Sequence, residues 1–301
     1  MGWEGPGELW LKRDDLNAPV AGGNKIRALE FLLAGAGPGS TVITVGGTGS
    51  THVYATATHA RRLGARAVAV RWPQVMNPVA YRVAALARAR CARVVDLPLA
   101  LALPIAARHR LAAALGRQVM GGRAHWVPFG GTSGLGILGH ANAALELADD
   151  ISAGRLPRPD TIILPIGSAG TTAGLRLGLT LAGLDIPVVA ARCGPRVGIT
   201  HGRVQAGMRA SVRLVRELAR VELPMPHPGQ LRIDHTVYGG AYGREHPAAR
   251  RLADALEART GLALNPTYSA KALLAAARQA ERAGGGRVLF WVTFDGREFA
   301  P

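Results

Sequence analysis

Lysine is scarce in this chain, and one lysine stands where a reactive amine is useful. Only three of the 36 basic residues are lysines, namely Lys12, Lys25 and Lys271. Lys25 follows two glycines and Asn24 at the predicted start of a helix. Because the positive end of a helix dipole disfavours an ammonium group, we expect a lowered pKa at Lys25. A neutral amine can attack an aldehyde, which indicates a lysine able to hold a carbonyl cofactor.

A glycine-rich turn at 167–172 has the composition of a phosphate site. It follows a predicted strand and opens a predicted helix, whose free N–H groups and positive dipole end attract anions. Gly167 and Gly170 let the backbone approach a ligand closely. Hydroxyl donors come from Ser168, Thr171 and Thr172. An ordinary turn between a strand and a helix is the alternative, but a phosphate site together with a reactive lysine suggests pyridoxal phosphate.

A dinucleotide fingerprint is another interpretation of the glycines. Residues 134–139 match G-x-G-x-x-G letter for letter, and 47–49 match its first half. The fingerprint also needs an acidic residue at the end of the next strand, whereas Asp160 precedes its predicted strand. A nucleotide P-loop is not indicated, because no lysine follows Gly170. The glycine spacing alone therefore favours neither NAD(P) nor a nucleoside triphosphate.

Short apolar runs alternate with longer segments of helical period along the chain. Strands are predicted at 41–45, 67–71, 93–95, 125–127, 161–166, 187–193 and 287–293. Helices are predicted at 25–34, 53–63, 79–90, 106–115, 135–150, 171–181, 204–221, 247–260 and 270–283. This order predicts an α/β protein with two open, twisted, mainly parallel sheets and helices on both faces. Such folds bind ligands at the carboxyl ends of the strands, where the glycine turns lie.

The composition excludes several classes of protein. The chain has 301 residues, of which 48% are hydrophobic and 19% charged, which excludes a disordered chain and fits two domains. Two cysteines cannot form a disulfide framework, and no Cys/His cluster has the spacing of a metal site. The net charge of +16 allows a nucleic-acid partner, but the arginines are scattered, so we expect none. We expect neither a membrane span nor a secretory leader, and therefore a cytoplasmic protein.

A series of motifs resembles the 1-aminocyclopropane-1-carboxylate (ACC) deaminase / D-cysteine desulfhydrase family in the family's own order. They are LKRDDLN (11–17), GGNKIR (22–27), LEFLL (29–33), GGTGSTH (46–52), PFGG (128–131), GSAGTTAG (167–174), YG (242–243) and NPTYSAK (265–271). The opening motif is specific, and the resemblance covers nearly the whole chain. It implies a pyridoxal-phosphate enzyme of fold type II, with a large domain of 1–37 and 151–301 and a smaller one of 38–150. The cofactor is expected in the cleft between them, and a homodimer is expected as well.

The resemblance also implies roles for single residues. Lys25 matches the lysine that forms a Schiff base with the cofactor, and Asn24 lies beside it. The residues expected to bind the cofactor phosphate are Gly167, Ser168, Ala169, Gly170 and Thr171. The residues expected to bind the substrate carboxylate are Ser50, Thr51 and His52, with Ser50 also supplying a catalytic hydroxyl.

Two tyrosines and a serine complete the implied site. Tyr242 and Tyr268 match active-site tyrosines near the substrate and the cofactor ring, and Ser269 falls where the family places the partner of the pyridine nitrogen. The residues given a role by the resemblance can also be explained by structure alone. Tyr268 could belong to the core, His52 to a helix face, and Ser269 to a helix cap.

The sequence departs from the family pattern at three places. Thr51 replaces an asparagine, Ala28 replaces a second lysine, and VTFD at 292–295 replaces His-Thr-Gly-Gly. We expect Phe294 and Asp295 to crowd the pocket with bulk and charge. A hydroxyl at Ser269 leaves the ring nitrogen unprotonated, which favours β-elimination over ring opening of ACC. The expectation is a lyase or deaminase that acts on a small amino acid as D-cysteine desulfhydrase does; ring opening of ACC and a non-catalytic cofactor-binding protein are the alternatives.

Overall fold

A computed structural model describes residues 7–107, 118, 123–225, 230–282 and 286–297. The strands in these ranges are β1 Glu8–Arg13, β2 Thr41–Gly47, β3 Arg66–Trp72, β4 Arg93–Asp96, β5 Ala124–Val127, β6 Thr161–Ile166, β7 Val188–Arg192, β8 Leu231–Asp234 and β9 Arg287–Val292. The α-helices in these ranges are α1 Lys25–Leu32, α2 Thr51–Arg62, α3 Pro78–Arg90, α4 Leu99–Ala107, α5 Gly134–Ser152, α6 Gly170–Leu181, α7 His201–Ala219, α8 Pro247–Thr260 and α9 Ser269–Arg282.

The strands form two parallel sheets. The large sheet has the order β1-β9-β6-β7-β8, and the small sheet has the order β4-β3-β2-β5. Every pair of neighbouring strands runs parallel. The central strands β2 and β6 are buried along their whole length, because helices cover both faces of such sheets. The predicted α/β class with two parallel sheets is confirmed.

The seven predicted strands all occur, each within two residues of its predicted ends. Strands β1 and β8 were not predicted. Both are edge strands of the large sheet. The first side chains of β1 alternate between exposed and partly buried positions, and β8 has only four residues, so neither strand forms a continuous apolar run. The predicted helix at 106–115 lies outside the described residues, apart from its first two residues, which end α4.

The core of the large sheet is divided by β9. Leu289 and Trp291 belong to the apolar cluster formed with α5, α6 and α7, whereas Phe290 and Val292 belong to the cluster formed with α8 and α9. This alternation follows from the period of two along a strand. Burying each of these side chains contributes about 2 kcal/mol to folding. The core therefore fixes the strand whose carboxyl end leads into the site.

The glycines of the G-x-G-x-x-G match serve helix packing. A Cβ atom on Gly139 would overlap the carbonyl oxygen of Arg27 in α1, and a Cβ atom on Gly136 would overlap that of Gly131. A Cβ atom on Gly134 would lie 2.8 Å from the carbonyl oxygen of Ala210 in α7. These contacts explain the glycine spacing without a dinucleotide.

The two sheets draw on separate parts of the chain. The small sheet uses strands between residues 41 and 127, and the large sheet uses β1 and the strands from 161 to 292. Helix α5 crosses the expected domain boundary at residue 150 and packs against α1 and α6, so the division into domains stays a prediction. None of the helices in the described ranges combines the length and apolar sequence needed to cross a bilayer.

Candidate active site

A cleft lies where the carboxyl ends of β2 and β5 approach those of β6 and β9. Its lining residues are Asn24, Lys25, Ser50, Thr51, His52, Phe129, Gly130, Pro165, Ile166, Gly167, Ser168, Ala169, Gly170, Thr171, Thr172, Asn265, Tyr268, Thr293 and Phe294. Apolar side chains such as Phe129 and Ile166 line it together with hydroxyl groups and one lysine, a mixture typical of sites for small organic ligands. Every site residue expected from the sequence lines this cleft except Tyr242 and Ser269.

The turn before Lys25 is fixed by the segment that follows β9. Gly23 has a φ of +93° and pairs with Phe294 in a short antiparallel bridge. A Cβ atom at Gly23 would lie 2.6 Å from the carbonyl oxygen of Thr293, so this position requires glycine. The N–H group of Asn24 donates to the same carbonyl oxygen at 3.0 Å. Helix α1 begins at the next residue, which places Lys25 at its N-terminus.

Lys25 has the electrostatic character of a nucleophile. Burial lowers its pKa from 10.5 to about 8. Burial, and then the charge of Lys25, lower the pKa of His52 and of His140 to about 3, so both imidazoles are neutral near pH 7. The Nε2 atom of His52 lies 3.0 Å from the hydroxyl oxygen of Thr44. An appreciable fraction of the Lys25 amine is therefore unprotonated near neutral pH, the form that attacks a carbonyl carbon.

The turn at 167–172 forms a cup at the N-terminus of α6. Ala169 is the N-cap residue, has a left-handed φ of +72°, and is not assisted by a side-chain cap. The N–H groups of the first helical turn therefore have no partner within the helix. The Thr172 hydroxyl oxygen is buried and has no hydrogen-bond partner among the described residues. Free amides, a helix dipole and an unpartnered hydroxyl together suit a phosphate group.

Glycines leave the space that this cup needs. A Cβ atom on Gly167 would lie 2.9 Å from Cε1 of Tyr268, and a Cβ atom on Gly170 would lie 2.8 Å from the hydroxyl oxygen of Thr132. Either substitution would force the neighbouring side chain to move. The two glycines are thus required by side chains around the cup as well as by the approach of a ligand.

A chain of polar groups connects the cup to the lysine turn. The Asn24 side-chain amide donates to the Thr171 hydroxyl oxygen at 2.8 Å, and that oxygen lies 3.5 Å from Nε2 of His140. All three side chains are buried. The Thr171 hydroxyl is therefore engaged with these two groups, and His140 joins the site without having been expected from the sequence.

The N-terminus of α2 is available for an anionic group of the substrate. Ser50 is its N-cap residue, and the Ser50 hydroxyl oxygen accepts a hydrogen bond from the Val53 N–H group at 3.4 Å. Thr51 and His52 form the start of the helix, where the dipole is positive. Because Ser50 acts as an acceptor toward the backbone, its own hydroxyl proton remains available to the cleft.

The two expected tyrosines form a hydrogen-bonded pair. The Tyr268 hydroxyl donates to the Tyr242 hydroxyl at 2.8 Å, and the rings meet edge to face with centroids 6.0 Å apart. Burial raises the pKa of Tyr242 to about 12 and raises that of Tyr268 further. Both phenols therefore keep their protons near neutral pH. Tyr242 does not line the cleft itself and contacts it through Tyr268.

Ser269 likewise contacts the cleft through a neighbour. It begins α9, is fully buried, and its hydroxyl oxygen lies 3.3 Å from the hydroxyl oxygen of Thr293, which lines the cleft. Two neutral hydroxyl groups therefore meet at this end of the cleft.

Asp295 does not bring a charge into the cleft, so that part of the expectation was wrong. Its Oδ2 atom accepts from the Gly22 N–H group at 3.1 Å, and both carboxylate oxygens pair with the Arg297 guanidinium at 2.8 Å. Only Phe294 of the two faces the cleft. Neighbouring residues of an extended segment point to opposite sides, which explains the separation. Asp295 instead braces the turn that precedes Lys25.

Comparison with known proteins agrees with this geometry. The family model "Pyridoxal-phosphate dependent enzyme" matches residues 4–293. Nocardicin C-9′ epimerase of Nocardia uniformis subsp. tsuyamanensis is 39% identical over 97% of this chain and 88% of its own length. D-cysteine desulfhydrase of Salmonella schwarzengrund (strain CVM19633) is 30% identical over 88% of this chain and 79% of its own length. The crystal structure of an ACC deaminase homologue superposes with a TM-score of 0.77 at 26% identity, covering 98% of this chain and 90% of that chain.

The chain therefore belongs to the pyridoxal-phosphate dependent enzymes. Within them it fits the ACC deaminase / D-cysteine desulfhydrase family of fold type II, as the motifs indicated, and its cofactor is pyridoxal phosphate. The free amides and the unpartnered Thr172 hydroxyl fit the cofactor phosphate, and Lys25 fits its aldehyde. In the described ranges, no group of three or more His, Cys, Asp or Glu side chains is arranged to hold a metal ion.

Proposed function

We propose that the protein moves the α-proton of an amino-acid substrate and that its reaction is an epimerisation. The observation that carries the proposal is the amine of Lys25, the single lysine that lines the cleft, with a pKa lowered to about 8 by burial. An amine with this pKa is an effective proton acceptor near neutral pH. The similarity to an epimerase over 97% of this chain supports epimerisation as the type of reaction.

The chain's own residues take four roles. Lys25 holds the cofactor and then moves the proton at the α-carbon. The cup at 167–172 holds the phosphate through its free N–H groups. The N-terminus of α2, from Ser50 to His52, orients the substrate carboxylate, and the Ser269 hydroxyl, next to that of Thr293, would be the partner of the ring nitrogen. When bound, pyridoxal phosphate withdraws electrons from the α-carbon and makes its proton acidic.

Epimerisation needs a second group that can exchange a proton with the α-carbon. The Ser50 hydroxyl lines the cleft, and its proton is not used by the hydrogen bond to Val53. We assign this second position to Ser50. Ser50→Ala should then keep solvent exchange of the α-proton in one enantiomer and lose inversion, while Lys25→Ala loses both.

β-Elimination remains the second candidate, because the Ser269–Thr293 pair is neutral. A hydroxyl group beside the ring nitrogen leaves that nitrogen unprotonated, which suits departure of a good leaving group from the β-carbon. Similarity to D-cysteine desulfhydrase supports the same outcome. A homodimer and a cytoplasmic location stay predictions.

One experiment separates these reactions. The purified holoenzyme is incubated in deuterated water with D- and L-amino acids that include D-cysteine and β-chloroalanine, and with ACC. Chiral chromatography with mass spectrometry measures inverted, deuterated product, and a coupled assay measures pyruvate and 2-ketobutyrate. Epimerisation predicts deuterium at the α-carbon of both enantiomers without keto acid. Keto acid formed faster than inverted product would show elimination or ring opening instead, and absence of deuterium exchange would contradict α-proton transfer.

A further inference from the structure

A threonine outside the cup donates a hydrogen bond into it. Thr132 follows the short turn Phe129–Gly131 at the carboxyl end of β5, in the part of the chain that forms the small sheet. Its hydroxyl group donates to the Ser168 hydroxyl oxygen at 2.7 Å. Ser168 belongs to the cup and lines the cleft. A group from the small-sheet segment thus reaches the phosphate site of the large sheet.

Glycines on both sides of this hydrogen bond make it possible. A Cβ atom on Gly130, which has a φ of +63°, would overlap the Ser168 hydroxyl oxygen. A Cβ atom on Gly170 would lie 2.8 Å from the Thr132 hydroxyl oxygen. The glycine turn after β5 and Gly170 thus make room for two hydroxyl groups to meet beside the cup.

The hydrogen bond determines what Ser168 can do. A hydroxyl group carries one proton and can also accept hydrogen bonds. Since Ser168 accepts from Thr132, its own proton remains free for a ligand in the cleft. Of the other two hydroxyls in the cup, that of Thr171 is engaged with Asn24 and lies near His140, whereas that of Thr172 is unpartnered. Thr171 also accepts a hydrogen bond, but its own proton has Nε2 of His140 within 3.5 Å. Among the described residues, Ser168 and Thr172 have no such second neighbour and are the hydroxyl donors that the cup can direct at a phosphate.

We infer that Thr132 is a positioning residue for the cofactor phosphate. It holds the Ser168 hydroxyl in the rotamer that donates to a phosphate oxygen, and it strengthens that donor because successive hydrogen bonds polarise one another. The ligand class is a phosphate monoester held without a lysine or arginine side chain, since Lys25 is the single Lys or Arg among the residues lining the cleft. This role is the same whichever reaction the enzyme catalyses.

A double-mutant cycle on cofactor affinity tests the inference. The dissociation constant of pyridoxal phosphate is measured by titrating apoprotein, and the ³¹P chemical shift of the bound phosphate is recorded for each variant. Thr132→Val removes one neutral hydrogen bond and should weaken binding about fivefold. Thr132→Ser keeps the hydroxyl group and should restore both affinity and chemical shift. Because valine adds a methyl group beside Gly170, Thr132→Ala serves as a second hydroxyl deletion that adds no atom.

The cycle distinguishes positioning from simple packing. If Thr132 acts through Ser168, then adding Thr132→Val to Ser168→Ala should change affinity by less than about twofold. The ³¹P shift should move in Thr132→Val and Thr132→Ala, because the Ser168 donor is reoriented. Unchanged affinity in both Thr132→Val and Thr132→Ala would overturn the inference. It would also be overturned if the loss of affinity in the double variant equalled the product of the losses in Thr132→Val and Ser168→Ala. Loss of affinity in Thr132→Ser as large as in Thr132→Val would assign the effect to packing and would overturn it too.

Discussion

The lowered pKa of Lys25 predicts how pH controls attachment of the cofactor. Burial lowers this pKa from 10.5 to about 8. At pH 7 about one lysine in ten is then neutral, whereas a lysine with the ordinary pKa is neutral in about one molecule in three thousand. The reactive fraction at neutral pH is therefore raised about 300-fold. The attachment rate should rise about tenfold per pH unit up to pH 8 and level off above it, because the amine is then already neutral.

Rapid mixing of apoprotein with pyridoxal phosphate between pH 6 and 10 measures this profile. The absorbance of the lysine–cofactor adduct reports the rate, and Lys25→Ala shows whether any other lysine contributes. Dividing by the rate for Nα-acetyl-lysine at the same pH removes the cofactor's own titration. We expect this ratio to be constant below pH 8 and to fall above it. A ratio that stays constant up to pH 10 would refute the argument, because Lys25 would then titrate like an exposed lysine.

Three further predictions, two of them with a matched control variant, test the scaffold around the cofactor. Gly170→Val should abolish cofactor retention after dialysis, since even its Cβ atom would lie 2.8 Å from the Thr132 hydroxyl; unchanged cofactor absorbance would contradict this. Ala169→Gly should raise the free energy of unfolding of the apoprotein by about 1 kcal/mol in urea, because alanine is strained at a φ of +72°. The control variant Ala173→Gly, inside α6, should instead lower the free energy of unfolding, because glycine is unfavourable within a helix. Asp295→Ala should lower that free energy by about 2 kcal/mol by freeing the Gly22 amide, and Asp295→Asn should recover part of it.

The parts of the fold predicted from the sequence are those with a local signal. Strands buried on both faces are continuous β-branched apolar runs, and these were found, as β2 and β6 show. Strand β1 reads ELWLKR and lies at a sheet edge, where one side needs no apolar cover. Its place depends on pairing with β9, which lies almost the whole chain away. No property of residues 8–13 alone specifies that partner.

The candidate site divides in the same way. Lys25 and the cup could be predicted because glycines and a rare lysine mark them in the sequence. His140 and Thr132 could not, because their contacts are with Thr171 and Ser168, 31 and 36 residues away. Asp295 was misplaced for a different reason, since sequence does not show which of two adjacent extended residues faces a cleft.

Strand β9 also sets the order in which a newly made chain can mature. It pairs with β1 on one side and β6 on the other, so the large sheet stays split until residues 287–292 leave the ribosome. The small sheet needs only residues 41–127 and can form much earlier during synthesis. The Gly23–Phe294 bridge that shapes the lysine turn also needs the segment that follows β9. The lysine turn therefore cannot take its final shape before β9 and Phe294 are available, and β1 has no partner strand until β9 pairs with it.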